Sequence, residues 1–151
     1  MNAEKSIRLL NELIQINNDR MEGYQRAMDD TDEIDLKGLF KEFAITSRRL
    51  SDELIEEVEN MDGDPIKGTS TSGKLYRTWI DIMTAVSNND RSAILNACEY
   101  GEDWAVKAYE NVMHEEPDFL TLDQKEMIRD HYTIIRNDHD TIKHLRDRVN
   151  A

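Results

Sequence analysis

Apolar residues recur every three to four positions along four long stretches of the chain, the spacing that places them on one face of an α-helix. The first stretch carries Ile7, Leu10 and Ile14 and continues through Met21 to Met28. Only two Pro and six Gly occur in the sequence, so few residues interrupt the pattern. It predicts four long helices, at about residues 3–29, 35–61, 91–114 and 122–149.

The link between the second and third long helices is longer than a simple turn. It begins with residues 62–73, rich in Gly, Ser and Thr, which predict a loop. A short helix follows at about residues 74–86, with Trp79 and Ile82 on its apolar face. One long crossover is typical of ferritin-like bundles. We therefore predict one all-α domain over residues 1–151, an antiparallel ferritin-like four-helix bundle whose crossover carries a short extra helix.

Charge narrows the set of partners. The chain has 19 Lys and Arg against 32 Asp and Glu, a formal net charge of -13. Such a surface repels phosphate backbones and anionic lipid, so we predict no nucleic-acid and no membrane partner. No apolar run approaches the ~20 residues of a membrane span, and Cys98, the only cysteine, has no partner for an internal disulfide. With a polar N-terminus that lacks a signal peptide, these features predict a cytoplasmic protein.

Polar residues interrupt the inward stripe at related positions of the first and third long helices. Asn17 precedes Tyr24 by seven positions, and Glu102 precedes Tyr109 by the same spacing. Seven residues are about two helical turns, so each pair shares a face. Ferritin-like bundles project oxygen ligands for a metal pair from such facing helices. On the fourth long helix Asp138 and His139 fill the polar gap. We expect a shared polar core of Asn17, Tyr24, Glu102, Tyr109, Asp138 and His139.

The sequence lacks the full ligand set of a metal pair. A di-metal bundle carries Glu-x-x-His on two of its helices, and this motif is absent from the chain. On the second long helix the inward pair is Ser47 and Leu50. Two interpretations stay open for the remaining polar residues. They are buried groups that hydrogen-bond to one another, or they are ligands of one Fe²⁺ or Zn²⁺. The candidate metal ligands are Glu102, His131 and His139.

Several stretches together carry a family resemblance: residues 10–14, 23–27, 63–73, 76–81, 99–103 with Tyr109, and 139–143. The most specific combination has two parts. The first is Arg77-Thr78-Trp79 after a Gly-Ser-rich loop, and the second is Glu99-Tyr100-Gly101-Glu102-Asp103. The chain resembles the bacterial ferritin-like four-helix-bundle proteins grouped as a domain of unknown function. The resemblance implies a ferritin-like fold and no established activity, with a looser similarity to bundles of bacterial stress responses.

The sequence contains no complete catalytic set. It has no Ser/His/Asp arrangement at a known spacing, no phosphate-binding glycine pattern and no cysteine pair for zinc. We therefore favour a non-enzymatic, stress-associated interaction or scaffold module with a degenerate metal site. The alternative is an iron- or zinc-binding ferritin-like protein with redox or storage activity. A homo-oligomer or a protein partner would use apolar residues that lie off the inward stripes. These residues are Ile45, Ile55, Ile80 and Ile134.

Overall fold

The computed structural model describes residues 3–67, 74–85, 90–115 and 119–150, and these residues form five helices without a β-strand. In chain order the helices are α1 (Ala3–Asp30), α2 (Ile34–Asn60), α3 (Lys74–Ala85), α4 (Arg91–His114) and α5 (Leu122–Asn150). The four predicted long helices and the short crossover helix are confirmed. Residues 68–73 of the predicted loop lie outside the described part of the chain.

Side chains fix the starts of the last two helices. The backbone N–H of Ala93 donates to Asp90 Oδ1 at 3.3 Å and caps α4. At α5 the backbone N–H of Gln124 donates to Thr121 Oγ1 at 3.1 Å. The backbone N–H of Thr121 donates in return to the Gln124 side chain at 2.9 Å, which completes a capping box. Because the first N–H groups of a helix have no partner within it, each cap stabilises its helix by about 1 kcal/mol.

The long helices pack as two neighbouring pairs, α1 with α2 and α4 with α5. The first and third long helices also pack on each other and run in opposite directions. This follows from the register, since Asn17 contacts Tyr109 whereas Tyr24 contacts Glu102. Apolar stripes from all four long helices close the core between them. Its fully buried members include Leu10, Leu13, Phe40, Leu54, Leu95 and Ile135.

Trp79 anchors the crossover helix α3 to the bundle. Its side chain is fully buried, and its six-membered ring packs against Gly23 of α1 and Gly101 of α4. A Cβ atom at Gly101 would lie 2.3 Å from the ring, and one at Gly23 would lie 2.8 Å from it. The two glycines therefore leave the space that the indole fills. Trp79 also meets the Tyr24 ring edge-on, with centroids 5.4 Å apart, and so lies beside the polar core.

The outer surface differs from the predicted apolar patch. Ile45 is 62% exposed, but Ile55 and Ile134 are half-buried against the core, and Ile80 is half-buried as well. Of the four residues only Ile45 is therefore strongly exposed, because the inward face of each helix is wider than a single stripe. None of the described helices combines the length and the apolar character needed to cross a membrane.

Candidate functional site

A buried arginine, Arg20 of α1, lies at the centre of the polar core. Its Nε donates to Glu102 Oε1 at 2.8 Å, Nη1 donates to Ser47 Oγ at 2.9 Å, and Nη2 donates to Asp138 Oδ2 at 3.1 Å. These partners lie on α4, α2 and α5, so one side chain connects all four long helices. A planar guanidinium carries donors on several edges and can serve three acceptors at once. We call Arg20, its three partners and Tyr24 the charged cluster.

Opposite charge holds Arg20 protonated in the interior. Burial alone would lower the pKa of the guanidinium, but the Glu102 carboxylate, Tyr24 and Asp138 outweigh it and raise that pKa. The Tyr24 hydroxyl donates to Glu102 Oε1 at 2.7 Å. Burial, and then the charge of Glu102, raises the pKa of Tyr24 well above its usual value. Near neutral pH the arginine is therefore charged and the tyrosine is neutral.

Asp138 titrates close to neutral pH. Burial raises the pKa of its carboxyl, the Arg20 guanidinium opposes that rise, and the charge of Glu102 adds to it, so that the pKa is about 6. The side chain is 15% exposed, whereas those of Arg20 and Glu102 are fully buried. Two carboxyl groups thus share one guanidinium, and the one nearer to solvent accepts a proton more readily than a free aspartate does.

A second hydrogen-bonded network, which we call the neutral chain, begins at Asn17. Its side-chain NH₂ donates to the Leu13 carbonyl at 3.0 Å and to the Tyr109 hydroxyl at 2.8 Å. The Tyr109 hydroxyl lies 3.1 Å from Nδ1 of His131, and Nε2 of that ring lies 3.2 Å from Glu53 Oε1. Burial lowers the pKa of His131 despite the nearby Glu53. A neutral ring accepts from Tyr109 at Nδ1 and donates to Glu53 at Nε2, which satisfies both contacts.

His139 lies outside the polar core that its sequence position predicts. Its Nε2 is 2.6 Å from Asp103 Oδ1 and its Nδ1 is 3.2 Å from Asp140 Oδ1. The cause is helical phase: consecutive residues are rotated by about 100° around a helix axis. When Asp138 faces Arg20, the next side chain therefore turns toward the flank of α4. Of the six predicted core residues, Tyr24, Glu102 and Asp138 meet in the charged cluster, Asn17 and Tyr109 meet in the neutral chain, and His139 joins neither.

The residues of this core do not fit a metal pair. The three candidate ligands, Glu102, His131 and His139, each hydrogen-bond to different partners. Within the described ranges, no three His, Cys, Asp or Glu side chains are grouped so that they could hold a metal ion. Glu102 and Asp138 do converge, but the guanidinium of Arg20 contacts both and lies between them. The core is thus organised around an internal cation that the chain itself supplies.

Arg20 was absent from the set predicted from the sequence. It lies three residues after Asn17 and four before Tyr24, so helical spacing alone places it on the inward face. Arginine is rarely fully buried unless paired, which is why a charged residue is normally assigned to the wet face of a helix. The signal that identifies it is the combination of inward phase with an inward acid, Glu102, on the facing helix.

Known structures share this fold at low sequence identity. A ferritin-like, diiron-carboxylate protein from Bacillus anthracis str. Ames is 15% identical with a TM-score of 0.77, over 97% of this chain and 99% of that one. A mutant of Dps1 from Mycobacterium smegmatis is 19% identical with a TM-score of 0.78, over 95% and 96%. A dodecameric thioferritin, the bacterioferritin-related protein from Bacteroides fragilis, is 12% identical with a TM-score of 0.76, over 99% and 89%. The bundle is therefore ferritin-like.

Sequence comparison gives the family more directly. No curated protein matches the chain. The model of one family, described as a domain of unknown function (DUF2383), matches residues 5–115. This span runs from the start of α1 to the end of α4 and includes Asn17, Arg20 and Glu102. Together with the ferritin-like bundle, the match shows that the chain belongs to the DUF2383 family.

Proposed function

We propose that this protein is a metal-independent, non-enzymatic ferritin-like bundle that acts as a stress-associated interaction or scaffold module. The observation that carries the proposal is the Arg20 guanidinium, which bonds to Glu102, Asp138 and Ser47 on three helices. In this arrangement the arginine supplies the positive charge that inward carboxylates require. A metal is then unnecessary for holding the four helices together.

Burial supports a non-enzymatic role. Arg20, Tyr24, Glu102 and Tyr109 are each 0% exposed. A catalytic group must come within hydrogen-bond reach of its substrate, and these four residues hydrogen-bond to one another or to other side chains of the core. Cys98 is equally buried, and burial raises the pKa of its thiol well above the usual value, which disfavours a nucleophilic thiolate. Interaction through the outer faces of the helices is the function that remains, and we place it in the cytoplasm because the lone cysteine needs no oxidising compartment.

Self-association is part of the proposal. One structural neighbour, the thioferritin from Bacteroides fragilis, is described as a dodecamer. On this chain, Ile34 is 86% exposed at the start of α2, and Leu122 is 78% exposed at the start of α5. Each of these two side chains is an apolar contact point that a second copy can cover. Light scattering across a concentration series measures this directly, and a monomer at every concentration would remove self-association from the proposal.

A second candidate function is iron or zinc binding with redox or storage activity. Besides the fold, one feature favours it: Glu102 Oε2 is buried and has no hydrogen-bond partner among the described residues. An unpaired carboxylate oxygen is a suitable ligand for a hard cation. Glu102 and Asp138 would supply the carboxylates for such an ion, and Arg20 would have to leave the space between them.

Metal analysis of protein purified from cells supplied with iron and zinc separates the two candidates. We expect well under one metal ion per chain by mass spectrometry, and a melting temperature that EDTA leaves unchanged, since nothing that binds the folded state is removed. Glu102→Gln tests the inward carboxylate, and Glu56→Gln is the matched control on the exposed face of α2. A reproducible two irons per chain in wild type, lost in Glu102→Gln and kept in Glu56→Gln, would overturn the proposal.

A further inference from the structure

The neutral chain connects all four long helices, as the charged cluster does. One member lies on each helix: Asn17 on α1, Tyr109 on α4, His131 on α5 and Glu53 on α2. Asn17 and Tyr109 are fully buried. The His131 side chain is 2% exposed, whereas that of Glu53 is 41% exposed. The chain of hydrogen bonds therefore runs from the core of the bundle to its surface.

The Leu13 carbonyl fixes the orientation of the Asn17 amide. The side-chain nitrogen lies 3.0 Å from that carbonyl oxygen and 2.8 Å from the Tyr109 hydroxyl. A carbonyl oxygen can only accept, so a reversed amide would bring two oxygens together. One N–H of Asn17 therefore donates to Leu13 and the other to Tyr109. The hydroxyl hydrogen of Tyr109 is left for its other neighbour, His131.

Each later link of the neutral chain has one donor and one acceptor. Tyr109 donates to Nδ1 of His131, 3.1 Å away, so Nδ1 carries no hydrogen. In an uncharged imidazole the hydrogen is then on Nε2, which lies 3.2 Å from Glu53 Oε1. The Glu53 carboxylate can only accept, and its other oxygen already accepts from Arg49 at 2.8 Å. All the hydrogens from Asn17 to Glu53 thus point toward the surface.

A proton on Nδ1 of His131 is incompatible with this order. The hydrogen on Nδ1 and that of the Tyr109 hydroxyl would face each other, and the hydroxyl would need another acceptor. Asn17 Oδ1 is buried and has no hydrogen-bond partner in the part of the chain that the structure describes. The amide must turn over before Oδ1 can replace Nδ2 beside the hydroxyl, and Oδ1 would then face the Leu13 carbonyl. Either outcome costs hydrogen bonds inside the core.

The surroundings of His131 act on its charge in both directions. Burial is the largest influence and lowers the pKa of the ring. On α2, Glu53 favours the charged ring and Arg49 opposes it, and Asp130 of α5 favours it. From α4 the Tyr109 hydroxyl faces the ring, and burial raises the pKa of this tyrosine, so it stays neutral. The amide on α1 carries no charge. The uncharged ring therefore predominates near neutral pH, and acid charges it.

We propose that the neutral chain is a pH-sensitive switch, in which the Asn17 amide holds His131 uncharged and a proton on Nδ1 breaks the contact of this ring with Tyr109. The break separates the links on α5 and α2 from those on α4 and α1. Glu53 still accepts from Nε2 of the charged ring, so the change is confined to the buried half of the chain. The switch lies in the core and does not depend on whether an outer face of the bundle binds a partner.

Nitrogen NMR of the uniformly ¹⁵N-labelled full-length protein measures the proton positions, and His131→Gln assigns the ring. At pH 7 we expect Nε2 of His131 to carry a hydrogen and Nδ1 to carry none. The second proton should bind only as the pH falls below about 6.5, the ordinary histidine pKa. A ring that is protonated at Nδ1 at pH 7, whether neutral or charged, would overturn the proposal.

Two variants test the role of the amide and the hydroxyl. In Asn17→Asp the carboxylate can accept from Tyr109, whose oxygen can then accept from Nδ1–H, so His131 should become charged at a higher pH than in wild type. Asn111→Asp adds an equal charge on the exposed side of α4 and should change this titration little. Equal shifts in both would mean general charge attraction and overturn the proposal. Tyr109→Phe removes the donor to Nδ1 and should also raise the pH of the titration; an unchanged titration there would overturn the proposal even if Asn17→Asp does not fold.

Stability measures the switch as a whole. The side chain introduced by His131→Gln offers one donor and one acceptor, as the uncharged ring does, but it does not titrate. Because folding lowers the pKa of His131, the stabilisation is complete above about pH 6.5 and is lost as the pH falls. In urea unfolding, wild type should therefore lose stability relative to His131→Gln between pH 7 and pH 4. A difference that stays flat, or that changes in favour of wild type, would contradict the switch.

Discussion

The charged cluster and the neutral chain start from the same spacing and reach different chemistry. On α4 Glu102 precedes Tyr109 by seven residues, and on α1 Asn17 precedes Tyr24 by seven. The pairs are crossed in space, since Glu102 accepts from Tyr24 and Asn17 donates to Tyr109. Around the carboxylate the bundle places a buried guanidinium. Around the amide it places a neutral histidine.

The difference follows from what each inward residue requires. A buried carboxylate must be paired or protonated, and Arg20 meets that need from one turn away from Asn17. An amide carries no charge, and its donors are satisfied by the Leu13 carbonyl and the Tyr109 hydroxyl. One difference in residue type, Glu against Asn, thus decides which half of the core needs a cation. In this chain the cation is an arginine.

Removing that arginine should cause the largest loss of stability. Arg20→Met leaves Glu102 buried and unpaired, and we expect the free energy of unfolding to fall by about 3–5 kcal/mol. In the neutral chain Asn17→Ala should cost only about 1–2 kcal/mol, because no charge is stranded. Urea unfolding monitored by circular dichroism measures both.

The double variant Arg20→Met/Glu102→Gln provides the control for stranded charge. Because the glutamine removes the unpaired carboxylate, this variant should recover much of the stability that Arg20→Met loses. If the double variant is less stable than Arg20→Met alone, the cost of the single substitution is lost packing, and the electrostatic account of the charged cluster is wrong.

The pH dependence of stability also distinguishes the charged cluster from the neutral chain, because Asp138 changes its protonation state near pH 6. Its pKa rises from 3.8 to about 6 on folding. Two units at about 1.4 kcal/mol each set an upper limit of about 3 kcal/mol. Because the folded-state pKa is the higher one, this stabilisation is complete below about pH 4 and is lost as the pH rises through about 6.

Relative to Asp138→Asn, wild type should therefore gain stability as the pH falls from 7 to 4. The difference in unfolding free energy between the two proteins, measured at each pH by urea unfolding, isolates this residue from the other acids. A difference that is flat with pH would mean that Asp138 titrates as a solvated aspartate and is not held in the cluster.

Substitution of a glycine beside Trp79 tests whether the packing of α3 stabilises the bundle next to the charged cluster. A Cβ at Gly101 would lie 2.3 Å from the indole, so Gly101→Ala should cost about 1–3 kcal/mol through overpacking beside Tyr24. Gly38→Ala is the matched control, because nothing lies within 4 Å of its Cβ position, and it should stabilise α2 by up to about 1 kcal/mol. Thermal melting ranks the two, and a tolerated Gly101→Ala would show that α3 is not pinned at Trp79.

The two tyrosine hydroxyls give the smallest expected difference between the charged cluster and the neutral chain. Tyr24→Phe removes a hydrogen bond to a charged carboxylate, worth about 1.5–3 kcal/mol, whereas Tyr109→Phe removes bonds to neutral groups, worth about 1 kcal/mol. Urea unfolding of both variants at pH 7 gives the order. A larger loss for Tyr109→Phe would contradict the division into a charged and a neutral half.

The sequence predicted the helices well because their signals are local. Apolar spacing, the Thr121–Gln124 capping box and the Gly-rich link each act within a few residues, so the helix ends agree closely with the structure. Inward phase also identified Asn17 and Glu102. Arg20 and the true partners of His139 were not predicted, because they depend on which residues of other helices lie opposite. A shift of one position on α5 separates Asp138, which reaches Arg20, from His139, which reaches Asp103.

We propose that Arg20 takes the place of a metal between Glu102 and Asp138. The most direct measurement is anomalous diffraction at the iron edge from crystals of the protein soaked in Fe²⁺. We expect electron density for the guanidinium in contact with both carboxylates and no anomalous peak beside them. Two anomalous peaks about 3.5–4 Å apart, the separation of a two-metal site, with Glu102 and Asp138 as ligands and Arg20 displaced, would contradict the account.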